Sequence, residues 1–199
     1  LGNDLASSWD GIINGRSGIG PVAGFDATTY PTRIAGEIRD FDVTRWVPPK
    51  DAKKMDPFIH YGVAASMMAM ADAGLEVTDA NAERIGTIVG SGIGGILGIE
   101  ETAVKLHVGG VRKISPFYVP STIINMVSGQ LCIIKGFKGP NFSAVSACAS
   151  SNHSIGMAMP PQALAREPPF CLFLHAGDRR GGATRAAGPR SGRAWPHGQ

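Results

Sequence analysis

Cysteine is scarce in this chain, and its spacing excludes two common uses of the residue. The three cysteines, Cys132, Cys148 and Cys171, are an odd number and include no closely spaced pair. Structural zinc sites need closely spaced cysteine pairs, and disulfide frameworks need an even number of cysteines. We therefore expect no metal site and no disulfide scaffold, and a reducing, cytoplasmic setting.

Long apolar runs are absent as well. The chain begins LGNDLASSW, which lacks the basic and then apolar segments of a signal peptide. No stretch reaches the roughly 18 consecutive apolar residues of a membrane-spanning helix. Because 43% of the residues are nevertheless apolar, the composition predicts a globular protein that does not enter a membrane.

Acidic residues are missing between Glu101 and Glu167, and this gap decides how a glycine-rich turn is interpreted. The turn, VGSGIGG at 89–95, contains Gly90, Gly92 and Gly95 in the order of a dinucleotide-binding loop. Such a loop also needs an acidic residue about 20 positions later to hold the ribose. We therefore expect no nucleotide cofactor, and glycines that permit a tight turn and close backbone packing.

The last 40 residues contain no Lys, Ile, Val, Met, Asn or Tyr but 12 Pro and Gly. They carry six basic and two acidic residues, whereas residues 1–159 carry 13 basic and 14 acidic ones. Residues 160–199 are therefore predicted to be an aberrant, disordered tail. An Arg-rich arm for nucleic acid is the alternative, but the composition and the Pro160–Pro161 pair favour a frameshift near codon 160 and no nucleic-acid partner.

Residues 1–159 alternate strand-like and helix-like segments, which predicts a layered α/β domain. The predicted elements are a helix that starts at Asp56 and Pro57 and stops at Gly74, a strand at 85–89, a helix at 96–104, a helix at 121–136 and a strand at 141–145.

The segment SAVSACASSNHSIG at 143–156 places Cys148 between a strand-like run and small residues that can begin a helix. This is the arrangement of a nucleophile elbow. The N–H groups of the helix start favour a thiolate, and the small neighbours leave room for a thioester and an oxyanion donor. Cys148 is thus the candidate nucleophile, with an inert buried cysteine as the alternative, and His153 is predicted to point away from it.

Five segments carry a resemblance to one enzyme family. They are WDGIINGRSGI at 9–19, KKMDPFIHYG at 53–62, GSGIGG at 90–95, KISPFYVPSTIINMVSGQL at 113–131 and GPNFSAVSACASSNHSIG at 139–156. In this order they resemble β-ketoacyl-acyl carrier protein synthases of the elongating, type II group. The resemblance implies a thiolase-like α/β fold of two similar halves, with residues 1–159 forming the N-terminal half without its opening strand.

The resemblance also implies a reaction. In that family a cysteine takes an acyl chain from acyl carrier protein, malonyl-carrier protein loses CO₂, and the carbanion attacks the acyl-enzyme. It implies a 3-oxoacyl-[acyl-carrier-protein] synthase of fatty acid biosynthesis, an acyltransferase that is a cytoplasmic homodimer without a cofactor. Cys148 matches the nucleophile and Ile93 a residue of the acyl pocket. The positions that match a surface docking the acidic carrier protein are Lys50, Lys53, Lys54, Arg112 and Lys113.

The family's other catalytic groups, two histidines, a lysine and a second oxyanion donor, belong to the half that this sequence does not match. The histidines at 60, 107, 175 and 197 lie outside any segment that resembles the family's histidine motifs. We therefore expect the chain to be truncated and inactive alone. The alternative is a non-catalytic fragment of a frameshifted gene.

Overall fold

The computed structural model describes residues 1–158 and the backbone of residues 170–175. The helices are α1 (Leu5–Ile13), α2 (Pro49–Ala52), α3 (Pro57–Asp72), α4 (Ile96–Gly109), α5 (Tyr118–Thr122), α6 (Met126–Lys135) and α7 (Ser150–Ala158). The strands are β1 (Ile19–Pro21), β2 (Ile34–Gly36), β3 (Ile85–Gly90), β4 (Asn141–Phe142) and β5 (Phe170–His175). Single 3₁₀ turns lie at 43–45, 82–84, 111–113 and 147–149. None of the helices in the described ranges is both long and apolar enough to traverse a bilayer.

Strand β3 is the centre of the main sheet, whose order is β4-β3-β5. Both neighbours run parallel to β3. All six residues of β3, IGTIVG, are buried, as expected of a parallel strand that is covered on both faces. Strands β1 and β2 form a separate antiparallel pair.

Helices cover β3 from both sides. Ile85 and Val89 join a core cluster with Ile59 and Val63 of α3 and with Leu131 of α6. Because successive side chains of a strand point to opposite faces, Gly90 lies on the other face, where it abuts the first turn of α7. The described part of the chain is thus an α/β/α arrangement, and α7, which follows Cys148, packs directly on the central strand.

The predicted start of α3 and the predicted strand β3 are confirmed. Asp56 caps α3 by accepting from the Phe58 N–H (3.2 Å), and it also accepts from the Gly98 N–H in the first turn of α4 (2.8 Å). This carboxylate is buried. One side chain therefore fixes two helix starts, a role that no sequence pattern indicates for α4.

Three predicted boundaries are wrong. The helix expected at 96–104 continues to Gly109. The single helix expected at 121–136 is two helices, because Ile123 adopts an extended conformation (φ −71°, ψ 141°) between α5 and α6. The strand expected at 141–145 ends after Phe142, since the next side chain, Ser143, donates to the Val89 carbonyl oxygen at 2.5 Å.

Strand β5 lies in the segment predicted to be a disordered tail. Residues 170–175 pair with all six residues of β3, from Ile85 opposite Phe170 to Gly90 opposite His175. These six residues are therefore a strand, although their composition was assigned to the tail. The boundary at 159 and the remainder of the tail prediction lie outside the described residues.

Candidate active site

Cys148 lies in a single helical turn, Ala147–Ala149, immediately before α7. Ala147 has a φ of +47°, in the left-handed region that costs a residue with a Cβ about 1–2 kcal/mol. The strained turn joins the sheet to the helix, and the Cys148 side chain is exposed at its outside. The structure thus has an accessible thiol in the turn before α7, as the predicted elbow requires, although strand β4 ends four residues before this turn, and the role of Cys148 as nucleophile stays a prediction.

A buried hydroxyl lies beneath the turn. Ser150 Oγ donates to the Ala147 carbonyl oxygen (2.8 Å) and accepts from the Ser146 N–H (2.9 Å). The Ala149 N–H donates to the Ser146 carbonyl oxygen (2.9 Å). The two residues before Cys148 are therefore bonded to the residues after it.

The His153 side chain faces the same turn, but its hydrogen-bond partner is Ser146 rather than Cys148. Its Nδ1 is hydrogen-bonded to Ser146 Oγ. The two side chains line an open groove of about 530 Å³ beside the elbow, together with Ala144, Val145, Asn152, Gly156 and Met157. That His153 does not pair with Cys148 stays a prediction, and the Ser146–His153 pair was missed because seven residues and a turn separate the two.

The glycines of the 90–95 turn pack against protein. A Cβ on Gly90 would lie 2.7 Å from the Ser150 carbonyl oxygen, and one on Gly94, whose φ is +83°, would lie 2.5 Å from the Thr122 carbonyl oxygen. The first turn of α4 is already bonded to the Asp56 carboxylate. The interpretation of these glycines as residues that permit close packing is confirmed for Gly90 and for Gly95, where a Cβ would lie 2.8 Å from Thr122 Cα, but not for Gly92, where a Cβ would have ordinary contacts at 3.7–3.9 Å.

Ile93 belongs to the same turn, and its side chain is 53% exposed. The neighbouring Gly92 lies beside the turn that contains Cys148, since a Cβ on it would lie 3.7–3.9 Å from backbone atoms of Ala147. The fold therefore brings the loop that carries Ile93 beside the loop that carries Cys148, although 55 residues separate them in the sequence. Contact between Ile93 and an acyl chain stays a prediction.

The five basic residues predicted to dock a carrier protein lie on two segments. Lys50 is in α2, with Lys53 and Lys54 directly after it, and Arg112 and Lys113 form the 111–113 turn. The Lys54 ammonium lies 5.4 Å from the centre of the Phe117 ring, and Phe117 follows the 111–113 turn by four residues. We call these five residues the basic surface.

Lys54 also pairs with Asp51 at 2.8 Å. The hydrogen bond from Lys54, and next its positive charge, lower the pKa of the Asp51 carboxyl below its ordinary value. The pair is accessible to solvent, so its contribution to stability is small.

Cys132 differs from Cys148 in its surroundings. It lies half-buried on α6, where its Sγ accepts from Asn141 Nδ2 (3.0 Å) and lies 3.3 Å from Thr87 Oγ1. It therefore contacts the sheet from the side of the core and is the natural internal control for Cys148. Within residues 1–158, no three His, Cys, Asp or Glu side chains are grouped closely enough to hold a metal ion.

Residues 1–165 match the family model described as the N-terminal domain of β-ketoacyl synthase. The chain belongs to the β-ketoacyl synthase family. Among curated relatives, 3-oxoacyl-[acyl-carrier-protein] synthase 2 of Vibrio harveyi is 50% identical over 158 residues, and that of Coxiella burnetii is 44% identical. Each alignment covers 79% of this chain and 38% of the relative. This β-ketoacyl synthase chain thus spans about two fifths of the length of those relatives.

Solved structures agree with this assignment. A β-ketoacyl synthase from Burkholderia phymatum STM815 superposes with a TM-score of 0.67 at 25% identity, over 79% of this chain and 40% of that one. A type II polyketide ketosynthase in complex with its acyl-carrier protein superposes with a TM-score of 0.59 at 27% identity, over 62% of this chain and 35% of that one. The predicted fold class is confirmed: this β-ketoacyl synthase chain has part of the thiolase-like α/β fold.

Proposed function

We propose that this chain is the acyl-accepting part of a 3-oxoacyl-[acyl-carrier-protein] synthase, an acyltransferase of fatty acid biosynthesis. The observation that carries the proposal is Cys148, an exposed thiol at a strained elbow in a chain that is 50% identical to such a synthase over 158 residues. A cysteine at this kind of turn is well placed to attack a thioester.

The step that Cys148 performs is a thioester exchange. Its sulfur attacks the carbonyl carbon of the acyl thioester, a new sulfur–carbon bond forms, and the bond to the carrier sulfur breaks. The carrier thiol leaves with the proton that Cys148 gives up. The small residues Ala147 and Ala149 on either side of Cys148 leave room for the thioester to approach the sulfur.

Ile93 is proposed to contact the acyl chain. Its side chain is exposed, and the adjacent Gly92 passes Ala147, so the loop lies where an acyl group on Cys148 would begin. A branched apolar side chain at this place limits the space for the chain and favours burial of its methylene groups.

The proposed donor is an acyl carrier protein that docks on the basic surface. Lys50, Lys53, Lys54, Arg112 and Lys113 present positive charge, and an acidic partner is steered toward such a patch at low salt. A structurally similar ketosynthase has been solved in complex with its acyl-carrier protein, which supports a carrier-protein partner for this chain too.

Condensation needs groups outside the described residues. We propose that the decarboxylation of malonyl-carrier protein and the attack on the acyl-enzyme depend on the part of the relatives' length that this chain does not match. The working enzyme is proposed to be a cytoplasmic homodimer. For the chain by itself the proposal is therefore acyl acceptance without turnover, and residues 1–159 are proposed to form the unit that carries it.

Transfer of an acyl group to the chain tests this proposal. The full chain is incubated with an acylated carrier protein, and peptide mass spectrometry locates the added mass. We expect the acyl group on Cys148, no acylation in Cys148→Ala, and unchanged acylation in the matched variant Cys132→Ala. Absence of acylation, or equal acylation of Cys132, would instead support the alternative, a fragment without activity of its own.

A further inference from the structure

The hydroxyl of Ser150 has two hydrogen-bond partners, and both belong to the two residues that precede Cys148. It donates to the Ala147 carbonyl oxygen (2.8 Å) and accepts from the Ser146 N–H (2.9 Å). The side chain is fully buried, so water cannot replace either bond without rearrangement. One hydroxyl is therefore bonded both to the N–H group that begins the Ser146–Ala147 segment and to the carbonyl group that ends it.

Ala147 is the residue whose conformation needs this support. Its φ of +47° lies in a region that residues with a Cβ avoid. A relaxation of Ala147 toward negative φ would rotate the following peptide and change the direction of the Cys148 Cα–Cβ bond. Ser150 itself is held in place because its backbone abuts Gly90 at the end of β3. A Cβ on Gly90 would come within 2.7 Å of the Ser150 carbonyl oxygen.

We propose that Ser150 is a positioning residue, whose hydroxyl holds Ala147 in its left-handed conformation and thereby directs the Cys148 sulfur toward the thioester carbonyl. The proposal rests on the proposed function of Cys148 as acyl acceptor. Acyl transfer requires that the sulfur approach the carbonyl carbon from one side while an N–H faces the developing oxyanion. Alkylation by iodoacetamide displaces iodide from a small mobile reagent and needs no oxyanion donor, so it depends less on direction.

Three variants of the full chain test the proposal. Ser150→Ala removes the hydroxyl, and Ser150→Thr retains it. Ser154→Ala is the matched control, because Ser154 is equally buried and its Oγ donates to the Ser150 carbonyl oxygen (2.9 Å) one turn further along α7. The rate of Cys148 modification is measured by peptide mass spectrometry with two reagents, the acyl thioester octanoyl-N-acetylcysteamine and iodoacetamide.

We expect Ser150→Ala to slow acylation about tenfold while alkylation changes by less than about twofold. Ser154→Ala is expected to leave both rates within about twofold of the original chain, and Ser150→Thr to remain within about threefold in acylation. Equal losses of acylation in Ser150→Ala and Ser154→Ala would contradict the proposal, since they would indicate general packing. Parallel losses of acylation and alkylation in Ser150→Ala would contradict it as well.

A second readout is independent of the proposed function. If the original chain is not acylated at all, that function fails, and the positioning role is judged by amide hydrogen exchange. Loss of the Ser150 hydroxyl is expected to speed exchange of the Ser146 N–H about fivefold or more, whereas Ser154→Ala leaves it unchanged. Unchanged exchange of the Ser146 N–H in Ser150→Ala would overturn the inference.

Discussion

Glycine at position 90 allows strand β3 to end directly against the first turn of α7. A Cβ there would meet the Ser150 carbonyl oxygen and Ser154 Oγ, each at 2.7 Å. Because one of these atoms is backbone, the clash cannot be relieved by rotating a side chain. The position of the elbow relative to the central sheet thus depends on the absence of a side chain at one residue.

We predict that Gly90→Ala lowers the free energy of unfolding by about 1–3 kcal/mol and slows acylation of Cys148. The matched variant is Gly156→Ala, on α7 itself, where a Cβ would meet no atom within 4 Å and helix propensity favours Ala by about 1 kcal/mol. Urea unfolding measures the stability of the two variants, and peptide mass spectrometry measures their acylation rates. Equal stability of the two variants would contradict the close contact between β3 and α7.

At the scale of single residues, sequence reasoning located the cysteine in the turn before α7 but not the side chains that hold this turn. The place of Cys148 and the packing role of Gly90 were predicted because small residues around a cysteine and glycines after a strand are local patterns. The hydroxyl of Ser150 and the Ser146–His153 pair were missed, since their partners are determined by the left-handed turn at Ala147, which no propensity of alanine predicts.

At the scale of elements, Asp56 couples the starts of α3 and α4. Its buried carboxylate accepts from the Phe58 and Gly98 N–H groups, one on each helix. These helices lie on either side of β3 in the sequence, and α4 follows the loop that carries Ile93. The coupling therefore fixes that loop as well as the two helices.

Asp56→Ala is predicted to lower the free energy of unfolding by about 2–4 kcal/mol, because the buried Phe58 N–H and the partly buried Gly98 N–H lose their acceptor. Asp72→Ala is the control, since Asp72 is an exposed carboxylate at the other end of α3. It is expected to change stability by less than about 0.5 kcal/mol. Denaturant unfolding compares the two variants. A loss of stability in Asp56→Ala no larger than that in Asp72→Ala would contradict the role of Asp56 at the starts of both α3 and α4.

The cap of α1 gives a pH dependence. Asp4 accepts from the Ser7 N–H (2.7 Å) and Ser7 Oγ (2.8 Å), and these bonds, the backbone one first, lower the pKa of Asp4 below its ordinary value. A pKa lowered by folding means a stabilisation that is complete above the unfolded value of about 3.9 and is lost as the pH falls through the folded value.

Asp4→Asn retains an oxygen for the Ser7 N–H but cannot titrate. We therefore predict that the original chain is more stable than Asp4→Asn above about pH 4 and that the difference shrinks at lower pH. Urea unfolding at several pH values measures this difference. A difference that stays constant, or grows as the pH falls, would count against the cap.

The sequence predicted those elements that local signals define and failed where distant residues decide. The start of α3 and the strand β3 follow from an Asp-Pro pair and a short apolar run. The break between α5 and α6 was missed because the apolar pattern continues through Ile123 and Ile124. Strand β5 was missed because the surrounding composition suggested disorder, although FCLFLH by itself is an apolar run suited to a buried parallel strand.

At the scale of the whole molecule, the described residues leave a large apolar surface open. Leu5, Trp9, Ile12 and Ile13 on α1 are each more than half exposed, and such a stripe is typical of a surface that another protein covers. The chain spans 38% of the length of its Vibrio harveyi relative. The hydrogen bonds that hold the turn at Cys148, in contrast, join residues within 146–153, which is why reactivity of Cys148 can be tested on this chain alone.

The most direct test of the account is competition among the three cysteines for a limiting amount of iodoacetamide, with each site quantified by peptide mass spectrometry. The account predicts that Cys148 is labelled before Cys132 and Cys171 in the folded chain, and that this order disappears in urea because it depends on the elbow. Equal labelling of all three cysteines in the folded chain, or earlier labelling of Cys132, would contradict the claim that the fold presents Cys148 as its nucleophile.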